Sequence, residues 1–107
     1  DDPLWPALKA KRLELARALA TEPTLLLLDE IAGGLTEHEV HELIDCIRAI
    51  RAEGVSMIWI EHIVHALMAV VDRLLVIDYG RLLVAGDPAQ VMASPEVRSV
   101  YMGIEAA

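Results

Sequence analysis

Apolar and polar positions fall in blocks whose period switches between helical and extended. Residues 8–20 carry Leu8, Leu15 and Leu19 at spacings of seven and four, one face of a helix. Thr21-Glu22-Pro23 ends that helix, because proline and the residue before it resist helical dihedrals. Leu25-Leu26-Leu27-Leu28 then forms an unbroken apolar run that stops at Asp29-Glu30. Such a run, set between a proline break and an acidic pair, predicts a buried parallel strand. Gly33-Gly34 predicts a loop. Thr36 and Glu39 stand at the spacing of a capping box. Behind them Val40, Leu43, Ile44, Ile47 and Ile50 cover an arc of about 120°, the width of a core-facing helical stripe. Gly54 is placed to close that helix. Val55 to Ile60, rich in β-branched residues, predicts a second strand with Glu61-His62 at its end.

A short helix is expected over 63–71. Arg73 to Asp78 and Arg81 to Ala85 read as two strands around Tyr79-Gly80, a hairpin. Asp87-Pro88 and Ser94-Pro95 each place an N-cap residue before a proline at the first helical position, so two short helices close the chain. The order α-β-α-β-α-β-β-α-α predicts an α/β fold with a mainly parallel sheet and an antiparallel hairpin at one side.

Composition narrows the function. The 107 residues suffice for one domain, and 55% of them are hydrophobic, which argues against disorder. No apolar run approaches the roughly 18 residues of a membrane-spanning helix. Seventeen acidic residues against nine basic ones give a net charge of −8. That balance disfavours nucleic acid and anionic membrane surfaces, both of which need a basic patch. The single cysteine, Cys46, cannot form an internal disulfide, and a reducing compartment is expected. The opening Asp1-Asp2-Pro3-Leu4-Trp5-Pro6 has no signal-peptide character and no initiator Met, so Asp1 need not be the natural start.

Candidate chemistry gathers at strand ends, where ligands bind in open α/β sheets. Two such ends are polar: Asp29-Glu30 and Glu61-His62. If the strands are neighbours, the four side chains cluster. Asp29 could hold Mg²⁺ through water, since Mg²⁺ keeps much of its hydration shell. Glu30 could take a proton from attacking water, and His62 could meet a terminal phosphate. The plain alternative is that the acids only solvate a strand end. Metal sites at His38 and His41, or at His62 and His65, lack a full ligand set. Cys46 reads as a buried inert thiol and Trp59 as a core or interface filler.

The run Arg12-Leu13-Glu14-Leu15-Ala16-Arg17-Ala18-Leu19, then Pro23, Leu25 to Glu30, Gly34-Leu35 and His62, resembles the carboxy-terminal half of an ATP-binding cassette ATPase. Within that family it is most like the subunits that serve branched-chain amino acid importers. The tail Ile77-Asp78-Tyr79-Gly80-Arg81, Ala85-Gly86-Asp87-Pro88 and Pro95-Glu96-Val97 through Tyr101-Met102-Gly103 continues the likeness. The resemblance implies a partial P-loop NTPase fold, with residues 1–107 as a single domain. It implies that Leu25 to Asp29 is the Walker B strand, with Asp29 near Mg²⁺ through water. Glu30 would be the catalytic carboxylate, and His62 the switch histidine at the γ-phosphate. Gly33, Gly34 and Leu35 would form the D-loop, which in the family crosses a dimer interface. It further implies ATP and Mg²⁺ as cofactors of the full-length parent, and a second ATPase subunit and membrane permease subunits as its partners. The location implied is cytoplasmic, with the parent on the cytoplasmic face of the inner membrane.

Four departures accompany the likeness, among them the lack of the Gln-bearing loop that should lie between the phosphate loop and the signature. The phosphate-cradling G-x-x-x-x-G-K-[ST] loop is absent from the sequence. The family's Leu-Ser-Gly-Gly-Gln-like signature falls on Trp5-Pro6-Ala7-Leu8-Lys9, with bulky Leu8 near the place of a glycine. Ile31 stands where a proline usually follows the acidic pair. The expected consequence is a chain that binds no cofactor tightly and hydrolyses no ATP alone. The sheet edges and apolar faces left open favour self-association, as a dimer or by strand exchange. The competing reading is a stand-alone, non-catalytic dimerisation or interaction module derived from such an ATPase. A receiver-like signalling domain is disfavoured, because the later strand ends carry His62 and Asp78-Tyr79 in place of a phosphoacceptor Asp and a Lys.

Overall fold

The computed structural model describes residues 7–101, which form two compact units that divide between Val70 and Val71. The first unit holds α1 (Ala7–Leu19), β1 (Leu25–Asp29), α2 (Glu37–Ala52), β2 (Ser56–Ile60) and α3 (Val64–Met68). The strands pair in parallel, from Leu25 opposite Ser56 to Asp29 opposite Ile60. Helix α2 begins as the sequence predicts. The Thr36 hydroxyl accepts from the Glu39 N–H at 3.2 Å, and the Glu39 carboxylate accepts from the Thr36 N–H at 3.0 Å. The helix ends at Glu53, and Gly54 follows with φ +90°, a dihedral that favours glycine.

All five stripe residues of α2 are buried, and Leu43 is wholly enclosed. They pack with Leu8 and Leu15 of α1 and with Leu26 and Leu28 of β1. Arg48 and Arg51 tie α2 to the chain beyond α3, donating to the carbonyls of Ala69 and Val70 at 2.9 Å each. The leucine strand departs from expectation: it is buried on one face only. Leu25 and Leu27 of β1, with Ile58 and Ile60 of β2, are exposed, Leu27 to 68%. Helices α1 and α2 cover one side of the strands, and among the described residues of this unit nothing covers the other. Each of these side chains would gain about 1–2 kcal/mol from burial of the area it still exposes. Cys46 is half-buried, short of the buried thiol expected. On the core side, the Trp59 indole Nε1 has no hydrogen-bond partner among the described residues.

The second unit holds β3 (Leu74–Asp78), β4 (Arg81–Gly86), α4 (Pro88–Ala93) and α5 (Pro95–Tyr101). The strands pair antiparallel, with Asp78 opposite Arg81 and a register shift between Val76 and Ile77. Tyr79 and Gly80 between them have φ of +50° and +74°, which makes a two-residue type I′ turn. Leu74, Val76, Val91 and Val97 are the buried residues, while Leu75, Ile77 and Leu82 are exposed. The Asp87 carboxylate caps α4 by accepting from the Gln90 N–H at 3.2 Å. Among the described residues the strands thus form one parallel pair and one antiparallel pair. No described helix is long and apolar enough to cross a membrane.

Candidate functional site

Parallel pairing brings the carboxyl ends of β1 and β2 to one edge. The ladder extends one residue past β1, where the Glu30 N–H donates to the Ile60 carbonyl at 2.7 Å. The chain then turns. Glu30 adopts φ +51°, a left-handed conformation that costs a side-chain-bearing residue about 1–2 kcal/mol. The Glu30 carbonyl accepts from the Gly33 N–H at 3.3 Å, and the Ala32 carbonyl from the Leu35 N–H at 3.4 Å. Gly34 sits at φ +80°, where only glycine is unstrained. The sequence-predicted loop Gly33-Gly34-Leu35 is therefore a tight turn directly behind the acidic pair.

His62 follows β2, and its Nδ1 lies 3.5 Å from Glu30 Oε1 and 3.6 Å from Glu61 Oε1. The Glu30 and His62 side chains are 60% and 70% exposed, open to a ligand. Glu61 is the opposite case, its side chain 0% exposed. Its carboxylate accepts from the backbone N–H groups of Ala32 at 3.1 Å, His62 at 3.1 Å and Ile63 at 3.4 Å. The structure thus brings Glu30, Glu61 and His62 together, with Asp29 adjoining in sequence. Among the described residues the Asp29 carboxylate has no side-chain hydrogen bond or ion pair, so its oxygens are available to a hard cation. No cluster of three or more His, Cys, Asp or Glu fit to hold a metal occurs among the described residues.

Trp5 and Pro6 of the expected signature stretch lie outside the described residues. Leu8 is described, buried in the core, and its N–H donates to Glu39 Oε2 at 3.3 Å. That donor is engaged by protein. The Thr36 N–H is the main cause that holds the Glu39 carboxyl below its ordinary range, and the Leu8 N–H adds to it. The histidines of α2 and α3 make exposed pairs: His38 with Glu42, and His41 and His65 both with Glu37. Arg12 meets Glu42 at 3.9 Å. Sequence reasoning missed the part played by Glu61, since a glutamate beside a histidine carries no signal of burial.

No family model matches the chain. It is 36% identical over 95 residues to a probable ABC transporter ATP-binding protein of Azorhizobium caulinodans, covering 89% of this chain and 34% of that protein. It is 37% identical to the lipopolysaccharide export system ATP-binding protein LptB of Acidithiobacillus ferridurans, covering 87% and 39%. It is 38% identical to the high-affinity branched-chain amino acid transport ATP-binding protein BraF of Pseudomonas aeruginosa, covering 87% and 37%. A nucleotide-free ATP-binding cassette from an ABC transporter shares its fold, with a TM-score of 0.85 over 94% of this chain and 42% of that one, at 24% identity. The chain therefore spans between a third and two-fifths of the length of these curated relatives.

Proposed function

The chain belongs to the ATP-binding cassette ATPases, and on that premise we propose that it is the water-activating portion of a transporter's ATP-hydrolysing subunit. Residues 1–107 are then a carboxy-terminal part of one nucleotide-binding domain. Glu30 orients the attacking water and takes its proton, and Asp29 holds Mg²⁺ through water. Mg²⁺, when bound, offsets charge on the phosphates. His62 turns Nδ1 to Glu30, which leaves Nε2, across the ring, for a γ-phosphate oxygen. Gly33, Gly34 and Leu35 form the turn that faces a second ATPase subunit. The observation that carries this reading is the meeting of Glu30 and His62 at the shared carboxyl edge of two parallel strands, with Asp29 beside them.

The chain alone is inactive in this reading. Phosphates in P-loop enzymes are held mainly by the loop backbone, its Lys and Mg²⁺, and the sequence has no such loop. Calorimetric titration of Mg-ATP into the 107-residue chain is expected to give no heat at micromolar concentration. Joining the chain to a segment that carries the phosphate loop is expected to create ATP turnover. Micromolar binding by the chain alone, or no turnover in the joined protein, overturns the proposal.

The proposed cargo is a branched-chain or other hydrophobic amino acid, supported by the likeness to BraF. LptB lies at nearly the same identity, so transport assays on the joined protein with its permease subunits decide the cargo. The permeases and a second ATPase subunit are the proposed partners, at the cytoplasmic face of the inner membrane. A second reading, a non-catalytic dimerisation module, draws on the uncovered face of Leu25, Leu27, Ile58 and Ile60. Light scattering is expected to show the isolated chain as a dimer or larger, and a monomer counts against self-association.

A further inference from the structure

We infer that Glu61 is a positioning residue that fastens the turn after Glu30 to the segment carrying His62. The inference rests on the hydrolysis reading for its purpose and on geometry for its existence. One carboxylate spans two loops. Its Oε2 accepts from Ala32, two residues past Glu30, and its Oε1 accepts from His62 and Ile63 at the start of the other loop. An enclosed carboxylate is stable when charge-assisted donors satisfy it, and here three backbone N–H groups do so. Helix α3 has no side-chain cap from its own N-cap residue, Ile63. The Glu61 carboxylate supplies that segment with an acceptor, and the same group anchors the Glu30 turn.

The consequence is mutual. A shift of the Gly33-Gly34 turn pulls on the Ala32 N–H, hence on Glu61, hence on the backbone that bears His62. Glu61 Oε1 also lies 3.6 Å from His62 Nδ1, on the side of the ring that Glu30 faces. It therefore helps to hold an N–H on Nδ1, and Nε2 donates to a phosphate oxygen when it too carries a proton. The bond network sets the 3.5 Å spacing between Glu30 and His62 without Glu61 itself touching substrate.

Nuclear magnetic resonance on the intact 107-residue chain tests this without nucleotide. Glu61→Gln puts an amide NH₂ against one set of N–H donors, so one loop must let go. Hydrogen-exchange protection of the Ala32 or His62 amide is expected to drop about tenfold or more, as loss of one charge-assisted hydrogen bond implies. The ¹⁵N signature of the His62 ring is expected to move away from the Nδ1–H tautomer. Amides of α2 around Leu43 are expected to keep their protection. Should Glu61→Gln fail to fold, Glu61→Asp keeps the charge but shortens the reach, and the Ala32 amide alone is expected to lose protection. Unchanged Ala32 and His62 signals in the folded variant overturn the inference. Because no readout uses ATP, an inactive joined protein would remove the hydrolysis reading and leave this result standing.

Discussion

In the parallel pair both strands finish on one edge, and the polar residues that follow them become neighbours. In the antiparallel pair the edge that receives Asp78 is the edge where Arg81 begins the return strand. The acid of the hairpin thus sits opposite a cation, across a turn whose job is connection. In the parallel pair Glu30 meets an imidazole and otherwise faces outward, while Glu61 is enclosed and takes backbone donors. Both pairs leave one apolar face exposed, so exposure does not distinguish them. Strand direction does: it decides whether polar ends collect into a site or are used up in a turn.

That contrast is most sharply broken at the acids. In the joined protein Glu30→Gln is expected to lower turnover by about 10²–10⁴-fold, the usual worth of a positioned general base. Asp78→Asn is expected to leave turnover unchanged. Equal losses in steady-state phosphate release would remove the distinction between the two edges. Next in size is the core of the first unit. Leu43→Ala should cost about 2–5 kcal/mol in denaturant unfolding, because the side chain is wholly enclosed. Leu82→Ala on the hairpin's exposed face should stay within about 0.5 kcal/mol. A large loss for Leu82 would mean that its face is covered in solution.

Two adjacent glycines provide a smaller test within the site. Gly34→Ala should cost about 1–2 kcal/mol, since alanine resists φ +80°. Gly33→Ala should be nearly neutral, because the new Cβ would meet only the Glu30 carbonyl at an ordinary 3.5 Å. Reversed costs would show that the turn is built differently. The smallest effects belong to the caps. Thr36→Ala should cost about 1 kcal/mol. Since the folded state lowers the Glu39 pKa, its contribution is present above the ordinary carboxyl value of 4.5 and is lost as pH falls below it. Glu39→Gln should flatten the acid limb of the stability curve, and Thr36→Ala should change it less, because alanine keeps the backbone N–H that is the main cause of the shift. An unchanged limb would take Glu39 out of that role.

Much of this was legible in the residues. The capping box, the five-residue stripe of α2, and the Asp87-Pro88 start of α4 are local patterns, and local hydrogen bonds or helical spacing enforce them. The meeting of the two strand ends followed from assuming neighbours in parallel, which the register bears out. Other features depend on long-range partners and leave no mark nearby. Four consecutive leucines do not say which face will be covered. Nothing around Leu8 announces that its N–H will find Glu39, 31 positions away. The enclosure of Glu61 arises only when the turn at Ala32 closes over it.

The backbone at Glu30 has a last consequence. Its left-handed dihedral would suit glycine better than any residue with a Cβ. Glu30→Gly would relax that torsion and at the same time erase the carboxylate. Robustness and reactivity therefore make opposite demands on one position, a small local instance of the general trade-off between the two. A selection of variants for thermal tolerance alone should drift toward glycine there, whereas a selection for turnover should hold the acid in its uncomfortable place.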